Sequence, residues 1–501
     1  MKSGETIDQS SYHTQRKFFK VYQTLKQKTL CQLVAFQRLD NCISVVVPPI
    51  LYFFCGKWTM NKSYLKLRWL LNVQLLSSAF FILLPSVAQA EDWPQAQGIN
   101  RDNKSAETGL LDKWPDGGPE LLWTFRNSGV GYSGPAVVGD CVYIMGGRNG
   151  LTELLAINAT SGKLRWSKTV SNKIFDFEGN SWGAGPRATP TVTDGMVYAL
   201  AGDGELVAFD TEGEFCWQVN MVSNLGGSVS IVDAGEPETY GWGYCWSPLV
   251  DNNKVICVPG GDQGMVAALD RKTGKVIWRS EGLTGGATYS SPIKATVNGI
   301  DQYIVMTQSG VAGIAAIDGE LLWNYQRDRP YPDVVIPTPV YYNQHVYASV
   351  GSAGCDLIKL TKQNEGSFDA THVYFNRNMK NELGGFVLLN GHVYGSSARR
   401  GWVCQAFGSG DLEWYSKRVS DSLGEGSIAY ADGSLYLYAE READVAIIEA
   451  VPEGYRENGR FTLPEESQMR APSGKNWTHP AIAGGKLYLR DQELLFCYDI
   501  E

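Results

Sequence analysis

Residues 267–278, AALDRKTGKVIW, alternate apolar and polar side chains, break at Lys272-Thr273-Gly274, and alternate again into Trp278. Period-two alternation on both sides of a glycine turn predicts two short antiparallel strands joined by a hairpin, with Gly274 at positive φ. A single hairpin cannot bury its own face, so its weight depends on recurrence. The reading Ala-x-Asp/Asn, glycine turn, Trp returns at 156–166 (AINATSGKLRW) and 208–217 (AFDTEGEFCW). A shortened copy stands at 316–323 (AIDGELLW) and a looser one at 404–414 (CQAFGSGDLEW). At 357–375 and 445–461 only the shape persists, with Phe375 and Phe461 standing in for Trp.

A second pattern runs in phase. Pro135, Pro190, Pro248, Pro292, Pro339 and Pro480 each precede a Gly/Asn/Asp turn and a V-Y-type strand. Proline lacks an N–H and so belongs where a strand begins. Each repeat therefore predicts a four-stranded unit, a propeller blade. The two ends complement each other: 121–125 (LLWTF) is a Trp strand with no Ala-x-Asp strand before it, and 494–500 (LLFCYDI) is the reverse. Pairing them removes two free sheet edges. The expectation is an all-β fold, an eight-bladed β-propeller of four-stranded antiparallel blades, closed by its N- and C-terminal strands.

The Ala-x-Asp-x-x-Thr-Gly-x-x-x-Trp hairpin, repeated in an eight-bladed ring, resembles the repeat of pyrroloquinoline-quinone (PQQ) propellers and of the BamB-type outer-membrane assembly lipoproteins. The resemblance covers roughly residues 121–501 and implies the fold; many proteins with this repeat bind no quinone. A quinoprotein alcohol dehydrogenase would be expected to carry an adjacent Cys-Cys pair, calcium held by Glu and Asn, and a catalytic Asp. The adjacent pair is absent, no motif places the other ligands, and no CxxCH haem site exists. No catalytic residue is assigned. PQQ and calcium are the cofactors only of this rival reading, and no metal ligand set emerges from His345, His372, His392 and His479.

The N-terminal part reads differently. Residues 1–59 have no periodic pattern, and Pro48 and Pro49 interrupt the apolar run at 43–55, which is too short for a membrane span. Met60 opens a basic segment (Lys62, Lys66, Arg68), an apolar stretch at 70–84 and the small-residue site Ala88-Gln89-Ala90. This is the grammar of a secretory signal peptide over 60–90, cleaved near Ala90. It makes residues 1–59 a start-site overcall or a disordered extension, and the mature chain a soluble periplasmic or extracellular one without a membrane span. No cysteine at the cleavage site offers a lipid anchor. Residues 91–120 predict an ordered lead-in coil anchored by Trp93 and Trp114.

Composition sharpens this picture. With 55 Gly, 15 Trp and 25 Tyr, the chain has the turns and aromatic mass of blade packing. A net charge of −9 without a basic run after residue 90 argues against nucleic-acid partners. Seven cysteines follow residue 90, an odd number at strand-like positions, which favours buried free thiols; a Cys245–Cys257 bridge is not deducible.

Residues just before each innermost strand of a propeller crowd its central funnel. Here these are Tyr132, Arg187, Trp246, Tyr289, Ile336, Glu382, Glu425 and His479, with Trp182, Trp242 and Trp477 in nearby loops. Insertions at 172–187 and 222–244 precede the same motif, so both hang over one face. The mixture of aromatic faces, one cation, two carboxylates and an imidazole is what a small-molecule or sugar pocket uses. It is equally the filling of a solvated funnel. Trp123, Trp166, Trp217, Trp278, Trp323 and Trp414 are structural knobs between blades, and Asp210, Asp270 and Asp318 hold turn amides. The expected function is a non-catalytic binding or scaffold module for a protein, small molecule or glycan. A PQQ-dependent alcohol (polyvinyl-alcohol-type) or sugar dehydrogenase and a BamB-type assembly factor are the rivals.

Overall fold

The computed structural model describes residues 91–178, 180–230, 241–332, 334–363 and 366–501. The expected extension (1–59) and signal peptide (60–90) lie outside the described residues. Eight antiparallel sheets of four strands follow one another. Blade one holds the strands Ala136–Val138, Cys141–Arg148, Leu151–Asn158 and Leu164–Ser171. Blades two to seven cover 191–220, 249–279, 293–326, 340–376, 386–415 and 426–462. Blade eight takes three strands from 481–499 and its outermost from Glu120–Phe125. That opening strand pairs antiparallel with Leu494–Asp499, with Leu121 opposite Tyr498 and Trp123 opposite Cys497, so the ring is closed.

The repeated hairpin locks each blade to the one before it. Trp217, on the outer strand of blade two, sends its indole N–H to the carbonyl of Arg271 in blade three at 2.9 Å. Gly274 of that hairpin lies against the indole; a Cβ there would come within 2.6 Å of it, and φ is +69°. The turn glycine is thus required twice, by conformation and by the neighbour's ring. Trp123, Trp166 and Trp414 reach Ala159, Thr211 and Val451 of their following blades at 2.9, 3.1 and 3.0 Å. A tyrosine on the second strand backs most of these indoles, as Tyr198 does Trp217 at 5.9 Å. Asp210 and Asp270 accept turn amides at 2.8–3.2 Å, and Asp318 accepts that of Glu320 at 3.2 Å.

The register corrects three expectations. In blade four the third strand is Gly310–Ala315 and Gly313, not Ala316, stands opposite Trp323, so the copy at 316–323 is a full-length hairpin read out of phase. In blade five the bulge places Tyr374, not Phe375, in the indole position, and its hydroxyl donates to Phe407 at 2.8 Å while Phe375 faces solvent. In blade seven the position belongs to Gly459 rather than Phe461. Trp114 of the lead-in fills the space above it, 6.0 Å from Tyr436 and 5.2 Å from Phe461.

The lead-in runs over the inner edges of several blades and crosses the central opening. Trp93 exchanges backbone hydrogen bonds with Val137 of blade one, Pro94 accepts from Val192 of blade two, and Asn103 and Ser105 bridge Tyr430 of blade seven. The buried Arg101 guanidinium donates to the carbonyls of Ser247, Pro248 and Pro292 in front of blades three and four. These contacts occupy inner-strand edges that would otherwise be unpaired. Among the described residues, no helix is long and apolar enough to cross a membrane. All seven cysteines after residue 90 are free thiols, five of them buried.

Candidate functional site

On one side of the lead-in, the segments that enter the inner strands enclose a cavity of about 360 Å³. Ala96 and Gln97 of the lead-in form part of its lining. Eight of the ten expected ligand-binding residues line it: Tyr132, Trp182, Arg187, Trp242, Tyr289, Glu382, Trp477 and His479, together with Ile336.

The two insertions meet here. Asn180 folds the first by donating to Asp176 at 2.6 Å and to the Gly183 carbonyl at 3.0 Å, and it accepts the Trp182 N–H at 3.0 Å. That turn sets Trp182 edge-on to Trp242 of the second insertion, 5.8 Å away at 80°. Phe177 packs on the same indole at 5.9 Å. Tyr289 reaches up from blade four, its hydroxyl accepting the Trp242 backbone N–H at 3.2 Å.

Arg187 is the cation of the wall. Its guanidinium donates to the carbonyls of Gly185 and Gly183 at 3.0 and 2.7 Å and lies over the rings of Tyr132 (5.1 Å) and Trp242 (5.8 Å). No described carboxylate forms a salt bridge with it. Burial pulls its pKa down, opposed by Cys245, Tyr132, Tyr289 and the Asp176 carboxylate; the guanidinium stays protonated at neutral pH. Burial also raises the tyrosine hydroxyls of Tyr132 and Tyr289, so both remain neutral.

On the facing wall Trp477 packs on Tyr132 at 5.2 Å and donates to Glu440 at 3.2 Å, which also holds Lys475 at 2.5 Å. His479 donates from Nε2 to the Leu383 carbonyl at 2.9 Å, and burial keeps its pKa below the usual imidazole value.

Two expected site residues are elsewhere. Trp246 is fully buried in the blade core, perpendicular to Tyr244 at 6.4 Å; in the extended segment before Pro248 the alternation turns its neighbour Cys245 to the cavity instead. Burial pushes the Cys245 thiol up to about 12, against the nearby Arg187 charge, so it is no ready nucleophile. Glu425 lines a much smaller adjoining hollow and accepts the Arg399 N–H at 2.8 Å.

An arc of hydroxyls escaped the sequence reading. Thr189, Ser247, Ser291 and Thr338 line the cavity, each directly before its blade's proline and each less than 9% exposed. The Ser/Thr-Pro dipeptide repeated in blades two to five was the available signal. Ser247 Oγ accepts the Thr189 N–H and Ser291 Oγ the Ser247 N–H, both at 2.9 Å, stitching neighbouring blades.

The calcium of a quinoprotein does not find its ligand set among the described lining residues. Calcium takes six to eight oxygen ligands, largely carboxylates and amide carbonyls. Among the described lining residues Glu382 is the one carboxylate, and none is an asparagine or an aspartate.

Comparison with known proteins matches the family model described as "Outer membrane protein assembly factor BamB" over residues 115–243 and 234–416, about three-fifths of the chain. The assembly factor BamB of Shewanella oneidensis is 28% identical over 183 residues, 36% of this chain and 41% of that protein. That of Kangiella koreensis is 27% identical over 225 residues, 43% of this chain and 47% of that protein. The match therefore spans less than half the length of these curated relatives. Among solved structures, BamB from Moraxella catarrhalis superposes with a TM-score of 0.50 at 12% identity, covering 76% of this chain and 99% of that one. The quinohemoprotein alcohol dehydrogenase of Comamonas testosteroni gives 0.54 at 12% identity, covering 82% and 80%. At such identities the likeness is one of fold. With its repeat, its eight closed blades and the extent of the family match, this chain belongs to the PQQ-like propeller family described as outer membrane protein assembly factor BamB.

Proposed function

We propose that the protein is a non-catalytic binding module whose ring cavity takes a small molecule or a glycan terminus. The observation that carries this reading is the convergence of two insertions and four blades on one cation, Arg187, wrapped in aromatic faces and in no salt bridge among the described residues. A cavity of about 360 Å³ lies within the roughly 300–1,000 Å³ usual for small-ligand sites. The mixed wall supports binding rather than turnover: its thiol is protonated, and its tyrosines are neutral and engaged. Screening the full chain by thermal shift and tryptophan fluorescence against small metabolites and soluble glycans tests it. A saturable change that Trp182→Ala abolishes supports the reading; a whole panel without response overturns it.

The scaffold reading has its own support. The outer strands of blades eight, one, two and three expose Leu121, Leu122, Leu164, Phe215, Val276 and Ile277, and the family description concerns outer membrane protein assembly. Photo-crosslinkers at Phe215 and Ile277 that capture barrel proteins in the envelope would favour it. For the dehydrogenase rival, the expected result is that added PQQ and calcium leave no quinone absorbance on the protein after gel filtration. Export is part of the proposal, and an N-terminus beginning near Glu91 on the native protein would support it.

A further inference from the structure

We infer that the ligand of the cavity is an acidic sugar, a pyranose carrying a carboxylate that docks on Arg187. This rests on the binding reading above and names its substrate class.

The first support is the imbalance of donors over acceptors. Two of the five N–H groups of Arg187 are spent on the Gly183 and Gly185 carbonyls, which fix the plane of the guanidinium and leave its remaining donors for a ligand. The hydroxyls of Ser247 and Ser291 each accept a backbone N–H, so their protons are the part left to give. Thr189 and Thr338 extend the same arc. The Trp242 indole N–H is buried without a partner. A wall built this way selects a ligand with many lone pairs and a negative charge.

The second support is the disposition of the rings. Trp182 and Trp242 meet at 80°, Trp242 and Tyr289 at 67°, and Tyr132 and Trp477 at 47°. None of these pairs forms a parallel slot for a flat aromatic ring. A puckered sugar ring suits them better, because its C–H face packs on one aromatic face while its edge hydroxyls turn to the arc. Trp182, 41% exposed at the rim, offers a platform for the next residue of a chain.

Arg187 supplies the discrimination. Burial in an aromatic surround strengthens its attraction for an anion and leaves a neutral sugar in that position with an unmatched charge.

The test is calorimetric titration of the full chain with tri-galacturonate and tri-glucuronate against their neutral counterparts, galactotriose and cellotriose. Binding of at least one uronate ten times or more tighter than its neutral counterpart supports the inference. Arg187→Gln should abolish that preference, and Trp182→Ala should weaken acidic and neutral sugars alike, which keeps the test informative should Arg187→Gln fold poorly. Equal affinity for neutral and acidic sugars, or an unchanged preference in Arg187→Gln, overturns the acidic-sugar assignment. So does binding confined to other compounds of the wider panel, an outcome that leaves the binding reading standing. No response to any compound sinks both.

Discussion

Blade two and blade seven solve one packing problem from different parts of the chain. In blade two the indole belongs to the strand itself: Trp217 packs on Tyr198 and donates to Arg271 of the next blade at 2.9 Å. In blade seven the equivalent strand position is Gly459, and Trp114, 345 residues earlier, occupies the room above it against Tyr436. The imported ring is as buried as the native ones, yet its indole N–H finds no acceptor. What the ring requires at each blade boundary is therefore a volume of aromatic side chain. The hydrogen bond is an addition: Trp217 makes it, whereas neither the borrowed Trp114 nor Trp278 of blade three does.

Removing the aromatic volume should have the largest effect in both places. Trp114→Ala and Trp217→Ala are each expected to cost about 3–5 kcal/mol, read by chemical denaturation of the full chain; a negligible loss for Trp114→Ala would break the equivalence. Gly459→Ala should cost about 1–3 kcal/mol by overpacking, because the new Cβ would meet Trp114 Cβ at 2.7 Å. Trp114→Ala keeps the Cβ and the backbone that the new methyl meets, so the cost should persist in that background, and a double-mutant cycle measures any coupling. Replacement by phenylalanine separates volume from hydrogen bonding: Trp217→Phe should lose at least about 1 kcal/mol more than Trp114→Phe. In the same way Tyr374→Phe should cost about 1 kcal/mol, whereas Phe375→Ala at the solvent-facing position should stay within about 0.5 kcal/mol.

The smallest effect concerns pH. Burial lowers the His479 pKa below the 6.5 of the free side chain, so the unfolded chain binds the proton more tightly. Its contribution is fully present above pH 6.5 and is lost as pH falls toward the folded value. His479→Gln should flatten that part of the stability profile between pH 7.5 and 5; an identical slope in both proteins would remove His479 as its source.

Much of the ring was legible because its signals are local. Period-two alternation, a glycine turn and a closing tryptophan recur within a dozen residues, and the incomplete ends announced the pairing of Trp123 with the last strand. The failures have equally local causes. Ala316-Ile317-Asp318 imitates the strand end although Gly310–Ala315 already completes it. Phe375 sits next to Tyr374, and only the bulge decides which of them faces inward. Trp246 and Cys245 differ by one position in an extended segment, which is enough to exchange core for cavity.

The amino-acid sequence by itself determined the number of blades, their four-stranded form and the closure of the ring, because each depends on neighbours close in the chain or on the complementarity of its two ends. Only the tertiary structure decided that the lead-in crosses the central opening, that Trp114 serves a blade far along the chain, and that Arg187 stands among aromatic faces with no salt bridge among the described residues. Those facts arise where segments distant in sequence compete for the same space, and side-chain volume, direction and desolvation settle that competition after the backbone has closed.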